Sequence, residues 1–70
     1  MIHTREDLTE ARRQIASTLH KLRETVKTLE SKETPQRYKS QITLAKRRIA
    51  AFEIAEDLIE AELANGENVP

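Results

Sequence analysis

Leu8, Ala11, Ile15, Leu19, Leu22, Val26 and Leu29 recur at steps of three and four along the first half of the chain, the spacing that gathers side chains on one face of an α-helix. After a polar break, Tyr38, Ile42, Ala45, Ile49, Phe52, Ile59 and Leu63 repeat the pattern. Two helices are therefore predicted, over about 5–32 and about 35–65. Local chemistry supports these bounds. Thr4 is the expected N-cap of the first helix, with Asp7 three residues on as a short version of the capping box. Thr34 is the expected N-cap of the second, and Pro35 suits a first helical position, where a missing N–H costs nothing. Asn65-Gly66 is the expected stop, because Gly accepts the left-handed backbone that closes a helix. Residues 67–70 are expected to be a flexible tail. Gly66 is the single glycine and the prolines are Pro35 and Pro70, so little else interrupts either segment.

The two stripes can be placed in one heptad frame. With Leu8, Ile15, Leu22 and Leu29 at d and Leu19 and Val26 at a, the second helix takes Tyr38, Ala45, Phe52 and Ile59 as d and Ile42, Ile49 and Leu63 as a. A tight turn over 31–34 then sets Leu29 against Ile42, Val26 against Ala45, Leu22 against Ile49, Leu19 against Phe52 and Leu8 against Leu63. Each layer is apolar. Phe52, the largest side chain of its stripe, is expected at the middle of the buried seam. Arg12 and Glu56 occupy core-type positions one layer apart, where they either pair across the hairpin or extend to solvent. The predicted fold is all-α: one domain, residues 1–66, forming a two-helix antiparallel hairpin.

One hairpin does not use all the apolar surface. The first helix has a single apolar face, but the second carries an additional row, Leu44, Ala51, Ala55 and Leu58, beside its main stripe. Its apolar arc is wider than the roughly 100° that one neighbour covers. The expectation is self-association, giving a homodimeric four-helix bundle with Tyr38, Ile42, Leu44, Ile49, Ala51, Phe52, Ala55, Leu58, Ile59 and Leu63 supplying the contact.

Charge selects the orientation. In the second helical segment Arg37, Lys39, Lys46, Arg47 and Arg48 all precede Glu53, Glu56, Asp57, Glu60, Glu62 and Glu67. That order opposes the helix dipole, which favours acids at the N-terminus and bases at the C-terminus. An antiparallel copy sets opposite signs together. Lys39 is then expected near Glu60 of the second copy and Lys46 near its Glu53, whereas a parallel copy stacks like charges.

Composition narrows the function classes. The chain has 70 residues, no Cys and 12 bases balancing 12 acids, so there is no disulfide framework and no global field for nucleic acid or anionic membrane. The longest apolar run, residues 49–52, is far below the roughly 18 needed for a membrane span. With no signal-peptide pattern at the N-terminus, a cytoplasmic location is expected.

Catalytic chemistry is hard to assemble from these residues. His3 and His20 are the only histidines, and His20 has only Glu24 at a helical metal-pair spacing. Asp7 with Glu10, and Glu53 with Glu56, have the carboxylate spacing of helical divalent-metal hydrolases, but the register sends the first pair to the outer side of its helix, away from Glu56. No Ser-His-acid set, phosphate loop or HExxH is present. The expectation is no enzyme, no cofactor and no metal. Arg37, Lys39, Lys46, Arg47 and Arg48 remain as a local basic stretch. That stretch gives the alternative to a protein-interaction module, a small dimeric nucleic-acid-binding regulator using the basic half of the second helix; the hairpin-dimer plan resembles the architecture of the small RNA-binding Rop bundle, though architecture does not carry function. Both aromatics lie on the buried stripe, away from any base they could stack on.

Overall fold

The computed structural model describes residues 3–67. Helix α1 spans Arg5–Glu30, one turn of 3-10 helix follows over Pro35–Tyr38, and helix α2 spans Lys39–Glu67. The two helices pack against each other as an antiparallel hairpin. They make a rod of 56 × 17 × 15 Å, two helices in cross-section.

The start of α1 follows from the side chains at its N-terminus. The Asp7 amide donates to the Thr4 hydroxyl at 3.0 Å and the Thr4 amide donates to Asp7 Oδ2 at 3.2 Å. The shorter acid therefore closes a complete capping box, satisfying two amides that helix geometry leaves without partners. Glu6 and Asp7 in the first turn and Lys27 in the last also complement the dipole. At the other end the Ser31 amide reaches the carbonyls of Lys27 and Thr28, each at 3.2 Å. The Ser31 hydroxyl donates to the Thr28 carbonyl at 2.8 Å. These bonds use carbonyls that would otherwise face water at the turn.

Two expected boundary devices are absent. Thr34 makes no side-chain cap bond, and its backbone is at φ −127°, ψ 73°. Pro35 disfavours helical geometry in the residue before it, and the chain instead enters α2 through the 3-10 turn, where the Arg37 amide donates to the Thr34 carbonyl at 3.1 Å. The stop expected at Asn65-Gly66 does not operate either. Helical structure continues to Glu67, and Gly66 does not take a positive φ. A glycine permits the left-handed conformation without requiring it. Of the tail expected over 67–70, Glu67 belongs to the helix and 68–70 lie outside the described residues.

The core is thin. Leu19 is 1% exposed, and Val26, Ala45 and Leu63 are also buried. The rest of both stripes, including Leu8, Ile15, Leu22, Leu29, Tyr38, Ile42, Ile49 and Ile59, is only half-buried. Phe52 is among these, a correction to its expected place at the buried centre. A single neighbouring helix covers one side of so large a ring and leaves the other in water.

Leu19→Ala should lower the unfolding free energy by about 3 kcal/mol, within the range for emptying a leucine site. Thr4→Ala should cost about 1 kcal/mol through the lost cap. Phe52→Ala should cost less than the ~3 to 5 kcal/mol of a fully buried phenylalanine. Urea titrations followed by circular dichroism would measure all three, and a Phe52 effect larger than that of Leu19 would contradict this description of the core.

Candidate interaction surface

The side chains of α2 divide by the direction they face. Its main stripe, from Tyr38 to Leu63, lies on the side covered by α1. Positions beside that stripe carry charges that cross to α1. Arg23 donates to Glu53 at 2.8 Å and Lys46 lies 3.0 Å from Glu30. From the first pair to the second, seven residues forward along α1 match seven back along α2, as an antiparallel heptad seam requires. Near the open end the Arg5 guanidinium donates to the Leu63 carbonyl at 3.2 Å.

Lys46 and Glu53 were expected to meet each other's copies across a two-fold axis. Within the chain they already have partners, Glu30 and Arg23. All four side chains are about half exposed, so each pair contributes only ~0.2 to 1 kcal/mol and leaves its members able to exchange partners. Lys39 sits at the start of α2, beside an open groove it lines with Glu30, Ile42 and Lys46. Glu60 lies at the other end, on a second groove of about 430 Å³ lined also by Thr9, Arg12, Arg13, Ala16 and Glu56.

Arg12 and Glu56 share that second groove without an ion pair between them among the described residues. Arg12 is exposed and Glu56 half-buried. Arg13 instead pairs with Glu10 on its own helix at 2.9 Å. The groove is open and carries both signs of charge, so it does not concentrate a field on one class of ligand. Among the described residues no three His, Asp or Glu side chains converge where a metal ion could sit. No helix there is long and apolar enough to cross a membrane.

The far side of α2 is different. Leu44 is 47% exposed, Ile54 62% and Leu58 66%. Ala51 is exposed between them and Ala55 is half-buried at their edge. In the heptad frame these positions lie opposite the seam with α1, so closing the hairpin cannot cover them. The hairpin thus separates the expected contact residues into two sets. Tyr38, Ile42, Ile49, Phe52, Ile59 and Leu63 serve the contact with α1, Leu44, Ala51 and Leu58 point outward, and Ala55 lies half-buried at the border of the two.

Ile54 was missed by the sequence reading, although it lies three residues after Ala51 and four before Leu58, a spacing that places it on the same outer face. Leu44, Ala51 and Leu58 repeat every seven residues, and Ile54 falls off that single repeat. Of the candidate nucleic-acid contacts, Arg37, Lys39, Lys46, Arg47 and Arg48 are all exposed, and Lys46 is turned to Glu30. Arg47 lies one heptad before Ile54 on the outer face.

The charge order of the second helical segment carries over to the whole rod. Residues 21–48, the half containing the turn, hold nine bases and three acids, a net of +6. Residues 1–20 and 49–70, at the open end, hold three bases and nine acids, a net of −6. Neutral overall, the chain forms a rod with opposite ends strongly charged. Comparisons with protein-family models, curated proteins and solved structures find no match to this chain.

A double-mutant cycle on Glu30 and Lys46 should give a coupling below about 1 kcal/mol that shrinks as salt rises. Thermal melts of the two single variants and the double variant would measure it. A coupling of several kcal/mol, insensitive to salt, would show a pair far less solvated than this geometry allows.

Proposed function

We propose that this chain is a non-enzymatic interaction module that assembles with itself into a homodimeric four-helix bundle and acts through protein contacts. The observation that carries the reading is the outer face of α2, where Leu44, Ile54 and Leu58 are roughly half to two-thirds exposed while the contact between helices buries few side chains fully. Covering a leucine or isoleucine completely is worth about 1.5 to 3 kcal/mol. Partly exposed ones therefore leave a substantial favourable term for a partner to supply.

Area supports the same reading. The accessible surface is 5685 Å², against ~4,500 Å² for a globular chain of this mass. The surplus exceeds the ~800 Å² per partner that a stable interface buries. A thin rod can offset the entropy of ordering its residues far better once a second rod covers one side.

Sedimentation equilibrium at micromolar concentration should give twice the 8.1 kDa chain mass. Ile54→Glu with Leu58→Glu should shift the protein to monomer, since both positions are exposed in the hairpin and a charge there harms only an interface. A folded wild-type monomer at the highest soluble concentration would contradict the proposal.

The alternative reading is nucleic-acid binding through Arg37, Lys39, Lys46, Arg47 and Arg48, and the net positive charge of the turn half favours it. Titration with DNA and RNA at two salt concentrations separates the readings. Affinity that falls steeply with salt marks phosphate contacts, and no binding at low salt removes this alternative.

A further inference from the structure

We infer that the second copy docks on the outer face of α2 in antiparallel orientation, with the two-fold axis passing close to Ala51 and both hairpins intact. The inference rests on the self-association proposed above and adds its face, orientation and centre. Two independent features of the chain share that centre. The outer apolar face runs from Leu44 to Leu58, and its midpoint is residue 51. The sign of charge along α2 changes between Arg48 and Glu53, around the same point. Neither coincidence follows from closing the hairpin, since the outer face touches nothing within the chain.

Rotation about this centre satisfies both features at once. Leu44 of one copy comes level with Leu58 of the other, and Ala51 meets its own copy. Alanines at 50, 51 and 55 keep side chains short there, allowing close approach of the two backbones. The turn half of each rod, at net +6, then lies along the open half of its copy, at net −6. A parallel pairing covers the same apolar face but stacks +6 on +6 and −6 on −6. Exposed charges choose between arrangements of equal apolar burial because like-charge juxtaposition is costly over a whole face, even where single exposed pairs contribute little. Lys46 and Glu53 can remain with Glu30 and Arg23 throughout, because those pairs lie on the α1 side.

The absence of cysteine from the chain permits a direct test by single-cysteine variants under mild oxidation. A disulfide needs Cα atoms within about 7 Å. Ala51→Cys should crosslink to its own copy and run as a covalent dimer. Ser40→Cys and Ala61→Cys should each stay monomeric when oxidised alone, because an antiparallel axis near residue 51 holds position 40 of the two copies about 33 Å apart at 1.5 Å per residue. Mixed before oxidation, these two should crosslink to each other, since positions 40 and 61 come nearly level.

Self-crosslinking of Ser40→Cys would establish a parallel pair and overturn the inference. A chain that sediments as a dimer yet crosslinks neither through Ala51→Cys nor through the mixed pair would place the interface on another face, overturning the inference while leaving the proposed function standing. Wild-type protein that sediments as a monomer would remove both. All three positions are exposed in the hairpin, so circular dichroism should match wild type, and agreement between the 51 and the 40/61 results guards against a local effect of one substitution.

Discussion

Helix α2 has apolar side chains on two sides and only one helix to cover them. The requirement comes from the order of residues: Ile49 and Phe52 serve one face, Ala51 and Ile54 the opposite one, interleaved in a single turn and a half. An α-helix cannot turn both sets toward the same neighbour. The hairpin resolves the conflict in favour of the stripe that matches α1, with Leu19, Val26, Ala45 and Leu63 buried between the helices. Everything else about the rod's surface follows from what that choice leaves outside.

Charge is sorted chiefly along α2 itself, and the hairpin lays α1 beside it. Along the sequence, the bases from Lys21 to Lys32 form a run interrupted by Glu24 and Glu30, and those from Arg37 to Arg48 form a second run, free of acids, beyond Glu33. Once the chain turns back on itself they lie side by side, and at the other end of the rod the six acids of α2 lie along residues 1–20, which hold three acids and three bases. Half-exposed pairs such as Arg23 with Glu53 fix register across the hairpin, but they are too solvated to account for its stability. Their role is to specify which residues lie abreast, while apolar contact supplies the favourable energy.

Much of this fold was legible in sequence because its signals are local or strictly periodic. The stripe spacing gave both helices, and Thr4 with Asp7 gave the start of the first. Thr34 and Gly66 misled because each residue type permits a conformation that the surroundings did not require. Phe52 misled through size, since two helices alone cannot enclose it. For the candidate surface, Leu44, Ala51 and Leu58 were readable from periodicity. The assignment of Lys46 and Glu53 was not, because an e-position charge can serve either neighbour, and only the register with Glu30 and Arg23 shows which one it reaches within the chain. The polarity of the rod was legible too, because α2 nearly carries it alone: residues 35–48 hold five bases and no acid, residues 49–70 hold six acids and no base, and residues 1–20 are neutral.

On the proposal above, two copies of this chain meet through the outward face of α2 and no other part of the rod. Methyl NMR on a dilution series from millimolar to low micromolar concentration tests it residue by residue. Signals of Leu44, Ile54 and Leu58 should move or broaden with concentration, while those of Leu19 and Val26, enclosed within the hairpin, stay fixed. Concentration dependence confined to methyls of α1, with Ile54 and Leu58 unchanged across the series, would contradict the account.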